Sequence, residues 1–291
     1  MDIRILRYFL AVAEEGSFSR AAEVIFTTQP NLSRQMAELE TEVGKPLFIR
    51  ESRRVTLTKE GIFLRKRAQE IVALFEKTQG ELQNFDDSAS GTVYIGTAET
   101  NAMHLIGKTI KNLQSKCPDI NYRIISGSAE ILNEQLERGL IDIAFMCDPE
   151  KNDKYEYHKL PVSDYWGVIM KKDDPLASKE FITISDLKNK PLMLSSQNHH
   201  QVNFSKLLGE DLKNVRPIVS YNLATTPAMF VEEGVGYMLS LTNLINIENR
   251  NLVEIPIKPQ IETPLYLVWS KYQIFTKVTK RFLEEFKKAI K

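Results

Sequence analysis

The sequence predicts a multidomain chain: a winged helix-turn-helix, a long linker helix, and an α/β domain. Three observations predict it. Residues 17–57 read as two short helices, a tight turn and a basic hairpin. Residues 59–85 place apolar side chains at alternating spacings of four and three. Beyond residue 91, β-branched runs alternate with amphipathic segments, the pattern of βα units. At 291 residues the chain is long for one domain and sufficient for two or three. The expected boundaries are 1–58 for the winged helix-turn-helix, 59–88 for the linker and dimerisation helix, and 89–291 for the α/β domain.

Composition narrows the function classes. Hydrophobic residues make up 43% and aromatic residues 9%, enough for packed cores. The 38 basic residues balance the 38 acidic ones, so no global positive field steers the chain toward nucleic acid. Any affinity for DNA must come from local clusters. Asp2, Arg4, Arg7, Glu14 and Glu15 interrupt the N-terminal apolar residues, which argues against a secretory leader. No apolar run approaches the ~20 residues that span a bilayer, so no membrane partner is expected. Two cysteines, Cys117 and Cys147, and four histidines have no metal-ligand spacing. A reduced cytoplasmic protein with no metal and no cofactor is expected.

Asp2 to Glu15 places Leu6, Phe9, Leu10 and Ala13 on one helical face, and Gly16 ends it. A second helix runs from about Phe18 to Ile25, with Ala21 and Ala22 allowing a close helix crossing. Thr27 and Thr28 offer a hydroxyl cap, and Gln29-Pro30 open the third helix. There Leu32, Met36, Leu39 and Val43 form one apolar stripe. Pro30, Arg34, Ala37 and Thr41 point the opposite way, flanked by Asn31, Ser33 and Glu38. Small and polar residues with one arginine suit a helix entering a DNA major groove. Taken alone, the stretch also reads as a surface helix in a helical hairpin.

The flanking residues favour the first reading. Leu47 to Ile49 and Val55 to Leu57 are strand-like, with Arg50, Arg53 and Arg54 in the tip between them. At a wing, such arginines would contact phosphates or the minor groove. Next, Leu64, Ala68, Ile71, Phe75, Thr78, Leu82 and Phe85 make a heptad with one polar lapse. The helix carrying them would be roughly 40 Å long. Such a seam favours pairing with a second chain over packing on its own domain. Pairing would set two reading helices on two half-sites.

After the polar linker from Asp86 to Gly91, strands are expected at Thr92–Ala98, Tyr122–Ser126 and Ile141–Met146. Helices are expected at Ala102–Lys116 and Ile131–Arg138. That βαβαβ run implies a parallel sheet with helices on both faces. Further strands are expected near Trp166–Met170, Leu192–Ser195, Pro217–Tyr221, Val235–Leu239 and Leu265–Trp269. Helices are expected at 201–208, Pro227–Glu233 and Phe275–Ile290.

The chain resembles a LysR-type transcriptional regulator along essentially its whole length. The sharp matches are LRYFLAVAEEGSFSRAAE, TTQPNLSRQMAELETEVGKPLFIR and VTLTKEG, all within residues 1–61. The resemblance implies a two-lobed α/β effector-binding domain with lobe I at about 92–161 and 265–291, and lobe II at about 162–264. It implies a non-enzymatic regulator that binds an interrupted palindrome in double-stranded promoter DNA, with RNA polymerase as a further partner. The heptad argues for a homodimer and the resemblance for a homotetramer. Carried over by position, Gln29, Pro30, Ser33 and Arg34 match the family's DNA-contacting residues, and Arg50 matches its wing.

In such a domain ligands sit at the carboxyl ends of strands and at helix starts. That rule selects Glu99, Thr100, Asn101, Ser128, Cys147, Ser196, His199 and Thr225 as candidate effector contacts. Thr100, Ser128 and Thr225 are equally natural helix caps, and His199-His200 reads more readily as a surface pair than as an anion contact. Glu99 is the departure. A carboxylate there would repel a carboxylate effector, which leaves a cationic or polyhydroxyl ligand, or a side chain turned to solvent. Nothing basic flanks Cys147, so no lowered thiol pKa and no redox role is indicated. Gly234-x-Gly236 is too short for a dinucleotide fingerprint, and no nucleophile or phosphate-loop motif is present. A solute-binding module with an N-terminal appendage remains the competing class, but it leaves the basic wing and the seam unexplained.

Overall fold

The computed structural model describes residues 1–51, 54–196 and 217–290, which form two compact units, Met1–Gln83 and Asn84–Lys291. In the first, helix α1 (Ile3–Glu15) starts where Asp2 accepts the Ile5 amide at 2.9 Å and ends at Gly16, whose φ of 58° is a left-handed stop. Helix α2 (Phe18–Val24) is capped by Ser17. Helix α3 (Gln29–Val43) ends at Gly44, at φ 67°. The hydroxyl cap expected at its start is not made: the Thr28 side chain makes no cap bond, and the Thr27 hydroxyl accepts from the Asn31 side-chain Nδ2 at 3.0 Å.

Leu6, Phe9, Val12, Ala21, Ala22, Leu32, Met36 and Leu39 close one core with Leu47 and Phe48. Val43 does not continue the α3 stripe. It is 38% exposed, being the last helical residue before Gly44. Strands β1 (Phe48–Arg50) and β2 (Val55–Leu57) pair antiparallel as the hairpin, with Arg50 opposite Val55.

Helix α4 (Lys59–Gln83) is 25 residues long, and its expected seam divides. Ala68 is fully buried and Leu64 packs beside it in the α1–α3 core. Ile71, Phe75 and Leu82 are exposed, Leu82 by 70%. Phe85 falls past the helix end. The division has a local cause. The Thr58 hydroxyl bridges the Pro46 carbonyl (2.7 Å) and the Gly61 amide (3.0 Å), drawing the helix start against the hairpin. Gly61 permits that approach, since a Cβ there would lie 2.2 Å from the Leu47 carbonyl oxygen.

The second unit is built on a nine-stranded sheet. Strands β3 (Gly91–Thr97), β4 (Ile120–Ser126) and β5 (Ile143–Cys147) are parallel, and helices α5 (Met103–Gln114) and α6 (Ala129–Glu137) connect them. Strand β6 (Tyr155–Lys171) then runs for 17 residues. Two short 3-10 turns lead from it to β7 (Leu192–Ser195) and β8 (Val219–Tyr221). Helix α7 (Thr225–Glu232), strands β9 (Tyr237–Leu241), β10 (Leu252–Pro256) and β11 (Glu262–Ser270), and helix α8 (Lys277–Ala289) complete the unit.

The sheet is mixed rather than parallel, because β11 pairs antiparallel with both β5 and β6. Residues 155–165 of β6 pair with β11, whereas Trp166 onward pairs with β9, and Gly167 to Lys171 with β10. One strand thus serves both halves of the sheet. The helix expected at 201–208 lies outside the described residues. Among the described residues, no helix is long and apolar enough to cross a membrane.

Candidate nucleic-acid interface and ligand cleft

On α3 the residues expected to read DNA share the face away from the core. Gln29, Pro30 and Arg34 are exposed, and Asn31 and Ser33 are half-buried at its edge. Asn31 accepts from Arg34 at 3.3 Å while giving its amide to Thr27, and Glu38 stands 3.8 Å from Arg34 on the following turn. The arginine is thereby aimed along the helix before any partner arrives.

Arg50 is placed differently from the tip position expected for it. It lies in β1, its guanidinium 3.1 Å from Glu40 and 5.1 Å from the centre of the Phe18 ring. Glu40 also accepts the amides of Leu47 (2.7 Å) and Phe48 (3.1 Å). The wing therefore hangs from the reading helix, and Glu40, which the sequence did not single out, is the hook. Arg54 is exposed in the hairpin turn, where its carbonyl accepts the Glu51 amide at 2.9 Å. Arg53 lies outside the described residues.

In the second unit a small cavity of about 40 Å³ opens at the carboxyl ends of β3, β5, β7, β8 and β9. Of the expected contacts, Glu99 and Cys147 line it. Glu99 reaches across to Ala224, whose amide donates to Oε2 at 2.9 Å immediately before α7. The first amides of a helix have no intrahelical acceptor, and neither Ala224 nor Thr225 caps this one with its own side chain. Glu99 is therefore the cap, and Thr225 is not.

Thr100 and Asn101 do not face the cavity. Asp164 on β6 draws them inward: it accepts from the Thr100 hydroxyl, the Asn101 amide (3.2 Å) and the Asn101 side chain (3.1 Å). The Asn101 side chain also donates to the Thr242 carbonyl at 2.8 Å. A buried carboxylate must be paired, and these donors satisfy it. Ser128 caps α6 by accepting the Ile131 amide at 3.3 Å. Ser196 is exposed just past β7, while its neighbour Ser195 lines the cavity. His199 lies outside the described residues.

Residues that sequence reasoning missed also line it, among them Trp166, Tyr221, Asn222, Ser240, Leu241 and Leu244. Trp166 donates to Thr263 at 2.7 Å, and the Tyr221 hydroxyl donates to the Leu239 carbonyl, so both aromatic rings are fixed. Burial pushes the Cys147 thiol far above its usual range, and the Asp164 and Asp148 carboxylates push the same way. Cys147 is accordingly a neutral thiol. Gly236, part of the rejected dinucleotide pattern, has a packing reason: a Cβ there would lie 2.2 Å from the Pro191 carbonyl oxygen.

Residues 3–62 match the bacterial regulatory helix-turn-helix protein, lysR family, and residues 86–291 match the LysR substrate binding domain. Two full-length relatives from Bacillus subtilis (strain 168) are similar. The HTH-type transcriptional regulator BsdA is 29% identical over 98% of this chain and 100% of its own. The HTH-type transcriptional regulator YybE is 26% identical over 97% of both chains. The fold is that of CbnR, a LysR family transcriptional regulator, at a TM-score of 0.75 and 18% identity over 100% of both chains. It is likewise that of full-length CbnR complexed with its target DNA, at 0.77 and 18% over 99% of this chain and 100% of that one. The chain belongs to the LysR family, as a DNA-binding transcriptional regulator with a substrate-binding domain.

Proposed function

We propose that the protein reads an interrupted palindrome in promoter DNA from the cytoplasm as a symmetric oligomer. In this reading Gln29, Pro30, Asn31, Ser33 and Arg34 enter the major groove, and Arg54, with Arg53, grips the backbone beside it. The observation that carries the reading is the exposed Gln29–Pro30–Arg34 face, on a helix tied to the wing through Glu40. CbnR, whose fold the chain shares, has been solved on its target DNA. Pairing runs through the exposed part of α4, Ile71, Leu74, Phe75 and Leu82, while Leu64 and Ala68 serve the chain's own core. A small molecule in the cavity at Glu99 and Cys147 adjusts the grip. RNA polymerase is the downstream partner, and no catalytic step is involved.

A gel shift with the DNA upstream of the protein's own gene tests the reading. Arg34→Ala should lose about 1–3 kcal/mol on that DNA and little on random sequence. Arg54→Ala should weaken both alike and reduce the salt slope by about 0.9. Equal losses on both DNAs for both variants would remove the division of labour, and a folded dimer that binds neither DNA would remove the regulator reading.

A further inference from the structure

Glu99 takes the position in which an anionic ligand would meet a helix start. Its Oε2 holds the Ala224 amide at 2.9 Å, so the amide that leads into α7 is taken from within the chain. Among the described residues that line the cavity, Glu99 is the sole formal charge. Its second carboxylate oxygen, Oε1, has no hydrogen-bond partner among the described residues. Behind Cys147 stand two further carboxylates, Asp148 and Asp164, and both raise the cost of negative charge at that thiol. A carboxylate entering this space meets like charge and finds its helix amide taken. A protonated amine meets opposite charge and a free acceptor, beside the aromatic side chains of Trp166 and Tyr221.

We propose that the cleft selects a small organic cation with N–H donors, held by the free oxygen of Glu99 while the other oxygen keeps its bond to Ala224. The inference rests on the reading of this cavity as the effector site. It makes Glu99 the residue that sets ligand charge. At about 40 Å³ the cavity must widen to admit such a cation, with Glu99 bonded to both the ligand and the Ala224 amide in the complex.

The test uses the full-length protein, with calorimetry and thermal unfolding at constant ionic strength. The probes are propylamine and putrescine as cations, benzoate and succinate as anions, and ribitol as a polyol. The cations should raise the Tm of the wild type and lose about tenfold in affinity on Glu99→Gln, a change of about 1.4 kcal/mol. Glu99→Gln keeps a side-chain oxygen for Ala224, so folding is retained. The anions should leave the wild type unchanged and stabilise Glu99→Ala, where the Ala224 amide is vacant. Equal action of the cations on wild type and Glu99→Gln, or none on either, overturns the proposal. So does stabilisation of the wild type by benzoate, succinate or ribitol. Operator binding measured on the same samples separates the two ideas. An anion or polyol that binds the wild type and alters its DNA complex leaves the effector cleft standing and removes only the charge assignment. A folded, DNA-binding protein that responds to no probe removes both.

Discussion

Glu40 and Arg50 meet at 3.1 Å, joining the last turns of the reading helix to the first strand of the wing. The other oxygen of Glu40 accepts two hairpin amides, Leu47 and Phe48, so one carboxylate sets where the wing leaves the helix. Glu40→Ala leaves both donors without an acceptor and should cost about 1–3 kcal/mol. Arg50→Ala removes only a half-exposed ion pair and its contact with the Phe18 ring, and should cost under about 1 kcal/mol. Urea unfolding of both variants checks this. Equal losses would show that the ion pair, not the amide contacts, holds the hairpin.

Asp164 collects three donors from residues 100 and 101, and Asn101 in turn reaches the Thr242 carbonyl. Asp164 lies two residues before Trp166, where β6 changes partners, so the cluster fixes the two halves of the sheet at their junction. Asp164→Ala strands three donors in a buried place and should cost about 3 kcal/mol. Asp164→Asn keeps one acceptor and should cost less. Denaturation midpoints of the two variants give the order, and a neutral Asp164→Ala would sink it.

Much of this was legible because local chemistry decided it. The Gly16 stop of α1 and the Leu32–Met36–Leu39 part of the α3 stripe are statements about neighbours in sequence, and each stands in the structure. The α4 seam was misread in its first turns, where Leu64 and Ala68 serve the chain's own core, because a heptad records which residues are apolar, not which partner covers them. Gly61 and Thr58 decided that instead. Strand β6 was found only from Trp166 onward, since Tyr155 to Tyr165 carries charges and Pro161 and pairs only with the distant β11. Of the residues that the rule about strand ends selects, Glu99 and Cys147 line the cavity, whereas Thr100 and Asn101 do not. Asp164, 63 residues beyond Asn101, takes their donors.

Phe26, in the turn between α2 and α3, has φ 53° and is 98% exposed. A bulky residue in the left-handed region costs about 1–2 kcal/mol, and this ring recovers nothing through burial. Asn tolerates that backbone, so Phe26→Asn should stabilise the N-terminal unit by about 1 kcal/mol, or about 4–8 °C in its unfolding transition. Strain of this kind is retained where it serves a contact. Operator affinity that falls while the transition rises would place the ring against DNA. An unchanged transition would mean that the turn carries no strain.

Glu254 on β10 accepts the Asn243 amide through Oε2 at 2.7 Å, while its Oε1 is buried with no hydrogen-bond partner among the described residues. Burial pushes its carboxyl pKa above the ordinary 4.5, and the Asn243 bond offsets only part of that. The sign follows directly. The folded state holds the proton more tightly than the unfolded chain, so at neutral pH the charged side chain opposes folding. That opposition fades as pH falls through the raised folded value, and it is gone below the unfolded one. Glu254→Gln removes the charge while keeping an oxygen for Asn243. It should therefore be more stable than the wild type at pH 7, with the advantage shrinking steadily toward pH 4. Unfolding free energies of both proteins across that range provide the check, and a difference that does not change with pH would mean that Glu254 is solvated in the native state.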